Sequence, residues 1–228
     1  MQTDTSKTIV ITGASRGIGL EVCRQAMAAG HNVIGLSRNT APLEKAGVRA
    51  FAIDLADPSS LDVFFEYVRS SELVIDGLIN NAGLLQNVPF NQSSWDIFES
   101  VYRVNVFGLS EMIRLSLPFV SPLGHIVNIS SMGGIQGSSK FPGLAAYSSS
   151  KGAVITLTEL LAEEYKASGP SFNALALGAV QTEMLEAAFP GYEAPTTAKQ
   201  MGTYILDFTL NGHQFYNGKV LPVANSTP

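Results

Sequence analysis

Thr8-Ile9-Val10-Ile11-Thr12-Gly13-Ala14-Ser15-Arg16-Gly17-Ile18-Gly19 decides the fold of this 228-residue chain. The apolar run Ile9-Val10-Ile11 ends in a turn with glycines at 13, 17 and 19. A helical pattern follows in Leu20, Val22, Cys23, Ala26 and Met27. Strand, Gly-rich turn and helix in that order can hold a dinucleotide, because the free N–H groups and positive end of a helix N-terminus suit a pyrophosphate. Glycine permits the tight turn and a close approach of backbone to ligand. The spacing is G-x-x-x-G-x-G rather than the commoner G-x-G-x-x-G, so the turn alone leaves open a βα connection without a ligand.

Outward from this unit, strands and helices alternate. Gly30 closes the first helix as a C′ residue. Asn32 to Ser37 reads as a second strand, and Arg49 to Ile53, ending at Asp54, as a third. Asp57-Pro58 opens a helix, with Asp57 as N-cap and Pro58 at N1, and Leu61, Phe64, Phe65 and Val68 follow at helical spacing. Leu73 to Ile79 is a fourth strand, closing on Asn80-Asn81-Ala82-Gly83. Ser93 or Ser94 caps a long helix that reaches Leu117 before Pro118. His125 to Ile129 is a fifth strand, Ala145 to Ala167 a second long helix, and Ser171 to Leu177 a sixth strand. Residues 179–200 read as a loop with partial helix, Thr197 to Leu210 as a last helix and Lys219 to Val223 as a last strand. The strands are continuous apolar runs, the pattern of a parallel sheet covered on both faces. The expected architecture is α/β: a single domain over 1–228 with a doubly wound, Rossmann-type parallel sheet of about seven strands and helices on both faces.

Composition narrows the function. Hydrophobic residues make up 46 % and charged residues 14 % of the chain, which suits a well-buried sheet. A net charge of −5 argues against a nucleic-acid partner. The one cysteine, Cys23, falls on the apolar face of the first helix and reads as core. No apolar run is long enough to span a membrane, and Met1 to Lys7 is polar, without a secretory core; the expected location is the cytoplasm. His31, His125 and His213 lie on separate elements without metal spacing, which points to surface or strand-end roles and no metal site. Glu163-Glu164 reads as a solvated helix face.

Small polar residues gather at the carboxyl ends of the strands, where such sheets bind ligands. Tyr147 and Lys151 share a helix face at i and i+4. A phenol titrates near 10, and an adjacent ammonium favours the phenolate, so the pair could exchange a proton at neutral pH. Ser131, at the end of the fifth strand, could hydrogen-bond a substrate carbonyl. Ser130 is the competing serine.

With Thr12-Gly13-Ala14-Ser15-Arg16-Gly17-Ile18-Gly19, Asn80-Asn81-Ala82-Gly83, Asn105, Ser131 and Tyr147 with Lys151 in this order, the chain resembles the short-chain dehydrogenase/reductase family over nearly its whole length. The resemblance implies hydride transfer between a nicotinamide cofactor and a carbonyl/alcohol pair. Tyr147 would be the acid/base, Lys151 would lower its pKa and bind the nicotinamide ribose, Ser131 would orient the substrate oxygen, and Asn105 would help hold a proton-relay water. The resemblance places the cofactor against Gly13, Ser15, Arg16, Gly17, Ile18 and Gly19. It also places the cofactor against Leu55, Ala82, Gly178 and Val180, with Asp54 at the adenine, Asn81 and Gly83 at the ribose and Thr182 at the nicotinamide carboxamide. Asn105 also reads as a polar residue bending its helix, and Asp54 as a turn cap.

An NAD site carries an acid at the end of the second strand. Here Ser37 holds that place, Arg38 follows and Arg16 lies in the turn. Two guanidiniums and a hydroxyl suit a 2′-phosphate, so NADP(H) is expected unless the arginines only face solvent. Met132, Phe141, Leu185, Phe189 and Tyr192 fall in segments that should border an apolar substrate, or pack in the core. Three features depart from the family: Leu177-Gly178 replaces Pro-Gly, the Ser131–Tyr147 loop is long and rich in Gly and Ser, and the C-terminus lacks the usual Gly-Gly ending. The reading is an NADP(H)-dependent oxidoreductase acting as a reductase. The alternatives are a non-catalytic NAD(P)-binding regulatory or scaffold protein and an NAD-dependent alcohol dehydrogenase. By resemblance the helices 94–117 and 145–167 form a homodimer or homotetramer face through Phe98, Val101, Leu109, Leu157 and Leu161.

Overall fold

The computed structural model describes residues 6–224. Most of the polar N-terminal segment and the C-terminal ending lie outside the described residues. The chain runs β1 (Thr8–Thr12), α1 (Gly17–Ala28), β2 (Asn32–Ser37), α2 (Ala41–Lys45), β3 (Arg49–Ala52), α3 (Asp62–Ser70), β4 (Ile75–Asn80), α4 (Trp95–Tyr102), α5 (Leu109–Ser116), β5 (Val120–Ser131), α6 (Ala145–Glu164), β6 (Ser171–Leu177), β7 (Val180–Gln181), α7 (Glu183–Ala188), β8 (Thr196–Thr197), α8 (Ala198–Asn211) and β9 (Lys219–Val223).

Ile9, Val10 and Ile11 of β1 are all fully buried, which requires cover on both faces of the strand. Alternate side chains point to opposite faces. Ile9 and Ile11 pack with Val22, Cys23 and Ala26 of α1 and Met201, Ile205 and Phe208 of α8. Val10 packs with Phe64, Phe65 and Val68 of α3, Met112 and Ile113 of α5 and Val154 of α6. Seven strands form one parallel sheet in the order β3-β2-β1-β4-β5-β6-β9, the Rossmann-type architecture expected. The order reverses between β1 and β4, and ligands of such sheets sit in the crevice beyond the strand ends at that point. Register brings Thr12, Asn80 and Asn128 side by side, with Ser131 opposite Leu177 on the next strand.

Several boundaries differ from the sequence reading. Leu73 does not start β4. Its N–H bonds Val68 O at 3.1 Å while Glu72 takes a left-handed φ of 49°, so it closes α3 in a Schellman arrangement. Asp57 does accept from Ser59 N, but it caps a 3₁₀ turn over Pro58–Leu61 that precedes α3. β5 begins at Val120 rather than His125, and α6 ends at Glu164 rather than Ala167. The long helix 94–117 is α4 and α5 joined by a π-helical turn, Arg103–Gly108. Val101 and Leu109 are buried within the chain, Leu109 in the core cluster against which Leu157 and Leu161 also pack; the outward apolar side chains of this region are Trp95, Phe107 and Leu160. Within 179–200, the two-residue strands β7 and β8 pair with each other and bracket α7. Among the described residues no helix is long and apolar enough to cross a membrane.

Candidate active site

A cavity of about 680 Å³ opens over the carboxyl ends of the central strands. Its floor is the turn after β1. Gly13 has φ 65°, and a β-carbon there would lie 2.7 Å from Ala82 Cα; only glycine fits both restraints. A β-carbon on Gly19 would collide with Gly13 O and the Asn81 amide, so Gly19 lies behind the wall and lets α1 start close to the turn. Asn81 ties β4 to β1, its Nδ2 donating to Thr12 O and Gly13 O, both at 3.1 Å. The Thr12 hydroxyl accepts from Ala82 N at 3.1 Å.

Gly13, Ser15, Arg16, Gly17, Ile18, Ser37, Arg38, Asp54, Leu55, Asn81, Ala82, Gly83, Ser131, Tyr147, Lys151, Gly178, Val180 and Thr182 all border this one cavity. Gly19 and Asn105 stand behind it. Ser37 donates to Ser15 Oγ at 2.8 Å across the top of β2. Asp54 accepts from Ala56 N at 3.0 Å, so it caps its own turn and borders the cavity at once. Arg16 and Arg38 are exposed. Among the described residues neither guanidinium has a hydrogen-bond or salt-bridge partner. Leu177 completes β6 in register with Ser131 and Val223, and Gly178 N–H bonds Val223 O at 3.0 Å. A strand ladder here takes the place of the fixed proline φ.

At the far end, α6 presents Tyr147 and Lys151 on one face. Lys151 is 3 % exposed. Its Nζ donates to Ile129 O at 2.8 Å and lies 5.8 Å from the Tyr147 ring centre. Burial pulls the ammonium down to about 8, so it stays charged at neutral pH. The Tyr147 phenol is pushed up to about 12 by burial, against a downward pull from the Ser131 side chain. The sequence reading had the ammonium lowering this pKa. Here desolvation outweighs any help to the phenolate, and the phenol is held protonated, as a proton donor requires. The two serines separate cleanly. Both border the cavity, but Ser130 is buried and its hydroxyl donates to Lys151 O at 2.9 Å, whereas the Ser131 side chain faces the Tyr147 phenol.

Asn105 is fully buried in the π-turn, a feature often found at functional sites. Its Oδ1 accepts from Leu84 N at 2.7 Å, and its Nδ2 donates to Leu84 O at 3.0 Å and Ser150 Oγ at 2.9 Å. A β-carbon on Gly83 would stand 3.5 Å from Lys151 Nζ and 3.6 Å from Asn105 Oδ1, so both groups flank this glycine.

Met132, Phe141, Leu185, Phe189 and Tyr192 line the cavity beside Tyr147, with Leu84, Leu144, Met184 and Lys140. The sequence reading missed the last four. Lys140 donates to Ile135 O at 2.6 Å and Ser138 Oγ at 2.9 Å, staples within a Gly- and Ser-rich loop that has no periodicity to announce them. His125 was also misplaced. It is fully buried, and its ring lies 5.6 Å from that of His213, because α8 folds back over the start of β5. Among the described residues no cluster of His, Cys, Asp or Glu could hold a metal.

The short chain dehydrogenase family model matches residues 7–193. The chain is 32 % identical over 196 residues to 2-(R)-hydroxypropyl-CoM dehydrogenase of Xanthobacter autotrophicus, covering 79 % of this chain and 77 % of that one. It is 32 % identical over 197 residues to acetoacetyl-CoA reductase of an Acinetobacter species, with the same coverage. A short-chain dehydrogenase of Shigella flexneri 2a in complex with NADP superposes with a TM-score of 0.85 at 26 % identity, over 95 % of this chain and 96 % of that one. With its parallel sheet, its glycine turn and Ser131, Tyr147 and Lys151 gathered on one cavity, the chain belongs to the short-chain dehydrogenase family of oxidoreductases.

Proposed function

We propose that this protein is an NADP(H)-dependent reductase of a ketone or aldehyde, with Tyr147 as the proton donor. One observation carries the reading: Ser131, Tyr147 and a charged, buried Lys151 share a single cavity with the glycine turn and two unpartnered guanidiniums. The residues fit a nicotinamide dinucleotide. The Gly13 turn has no room for a side chain beside Ala82, and the N-terminus of α1 faces the same space. Ser15, Gly17 and Ile18 would hold the pyrophosphate, Asp54 and Leu55 the adenine, and Asn81, Ala82, Gly83 and Lys151 the riboses. Gly178, Val180 and Thr182 would hold the nicotinamide end. Ser37, Arg38 and Arg16 suit a 2′-phosphate. The relative solved with NADP supports this choice, and the acetoacetyl-CoA reductase supports the reducing direction.

When bound, the cofactor supplies a hydride to the carbonyl carbon. The Ser131 hydroxyl holds the carbonyl oxygen, and the Tyr147 phenol passes its proton to that oxygen as negative charge develops there. The Lys151 ammonium stabilises the phenolate left behind. Asn105 holds the loop after β4 through Leu84, and its Oδ1 has a second lone pair for a water that returns a proton by way of Lys151. Apolar side chains from Met132 to Tyr192 keep bulk water from the reacting carbonyl. The exposed Trp95, Phe107 and Leu160 support a homodimer or homotetramer built on α4, α5 and α6.

The test is a fluorescence titration of NADPH and NADH on wild type and Arg38→Ala, followed by turnover of acetoacetyl-CoA and a panel of ketones. NADPH is expected to bind more tightly, and to lose about tenfold or more in the variant, the order of a charge-assisted contact. Tyr147→Phe is expected to abolish turnover while still binding NADPH. Equal binding of both nucleotides, unmoved by Arg38→Ala, overturns the cofactor assignment; turnover by Tyr147→Phe overturns the mechanism.

A further inference from the structure

Three chain segments without regular pattern wall the substrate end of the cavity. Leu84 and Leu85 come from the loop after β4, Lys140, Phe141 and Leu144 from the loop before α6, and Met184, Leu185, Phe189 and Tyr192 from α7 and the turn behind it. The third is held by few bonds. Residues 183–195 hang between β7 and β8, and their hydrogen bonds are local: Leu185 N to Thr182 Oγ1, Gly191 N to Glu186 Oε1 and Ala194 N to Gln181 Oε1. α7 leans chiefly on β7, the short strand that leads into it.

Among the described residues one hydrogen bond leaves this flap for the body of the protein: Asn87 Nδ2 donates to Ala188 O at 2.9 Å, at the last residue of α7. The same asparagine meets the remaining wall. Gly143 has φ 86°, and a β-carbon there would collide with Asn87 Oδ1. The adjacent Val88 N–H bonds Gly143 O at 2.9 Å. Asn87 therefore stands where all three walls meet, with its oxygen against the loop before α6 and its nitrogen on the flap.

The geometry points to Asn87 as the latch of the substrate cavity: a positioning residue that holds the 183–195 flap closed over a bound substrate and thereby sets its affinity. Asn87 is exposed, so its bond exchanges readily with water. Its net contribution is that of one hydrogen bond, roughly a two- to tenfold shift in the closed population. This suits a flap that must open each cycle to admit substrate and release product. Asn87 itself bonds no residue assigned to the cofactor, so its substitution is expected to leave NADPH affinity in place. The kinetic part of this inference rests on the oxidoreductase reading; the latch itself does not.

Chymotrypsin cleavage after Tyr192, followed by intact-mass spectrometry, reads flap opening directly on the full chain without any ligand. Asn87→Asp keeps the shape and removes the donor; Asn87→Ala removes both. Each is expected to raise the cleavage rate at this site roughly two- to tenfold with no change at sites elsewhere. Wild-type rates in both variants, or a rise spread over the whole chain, overturn the latch. With acetoacetyl-CoA as the probe, both variants are expected to raise KM by the same factor, leaving kcat and NADPH affinity in place. A loss that falls on kcat or on NADPH binding instead overturns the positioning role. A wild type that turns over no carbonyl compound counts against the oxidoreductase reading, and the cleavage result still decides the latch.

Discussion

Acid should loosen this protein between pH 7 and 5, and His125 is the reason. Its Nδ1 lies 3.1 Å from Thr209 O, and its Nε2 lies 2.9 Å from Asn173 Nδ2. The Asn173 amide cannot turn over, because its Oδ1 accepts from Lys219 N at 2.9 Å and its Nδ2 also donates to Tyr216 O at 2.9 Å. Nε2 must therefore accept, and the neutral ring carries its proton on Nδ1. A second proton would have to enter on Nε2, facing a donor. Burial first, and then the neighbouring His213, pull the pKa from 6.5 down to about 4, against the raising effect of Thr209 O. A histidine whose folded pKa is depressed contributes fully above the unfolded pKa, and the contribution is lost as pH falls below about 6.5. With values of 6.5 and about 4, linkage takes away about 2 kcal/mol by pH 5 and about 3 kcal/mol by pH 4. His213 is shifted downward as well and acts in the same direction. Glu99 and Glu111 are held below the usual carboxylate range by Arg103 and Arg114, so they stay charged in this window. Urea unfolding followed by circular dichroism at pH 7, 6 and 5 should show the loss, and His125→Gln should flatten the slope by half or more. A wild type losing under about 1 kcal/mol between pH 7 and 5, or a variant with the wild-type slope, would refute the reasoning.

The paired serines should part company. Ser130→Ala removes a buried bond to the α6 backbone and should cost about 1 kcal/mol in urea unfolding while leaving turnover of acetoacetyl-CoA near wild type. Ser131→Ala should leave stability in place and lower kcat by about a hundredfold. Because Lys151 titrates at about 8, NADPH affinity should weaken as pH rises through that value, by about tenfold at pH 9 where about a tenth of the ammonium remains. Fluorescence titration from pH 6 to 10 checks this, and Lys151→Met should bind weakly with a flat profile.

What could be read from the sequence is what local chemistry dictates. β2 and β6 lie where the sequence placed them, because a strand covered on both faces reads as a near-continuous apolar run. Tyr147 and Lys151 were legible for a related reason: their juxtaposition is one turn of one helix. The residues at the strand ends converge on one cavity because a parallel sheet puts all those ends on the same edge. Where an ordinary residue does a special residue's work, the reading slipped. Glu72 takes the left-handed C′ conformation that glycine usually supplies, so Leu73 looked like the start of a strand. The π-turn at Asn105 adds a residue to a turn without breaking the apolar pattern on either side, and the polar Asn105 was the only local sign of it. Contacts distant in sequence left no trace at all. His125 reaches His213 because α8 returns across β5, and Asn87 reaches Ala188 and Gly143 because three unpatterned loops close on one another. The same division separates the groups that define the reaction class from those that would select a substrate. The residues proposed for proton donation and for the cofactor sit on α6 and at the ends of strands, whose positions the sheet dictates. The side chains that wall the proposed substrate end come from three segments where no periodicity announces which of them faces the cavity, and there one sheet can be adapted to many substrates.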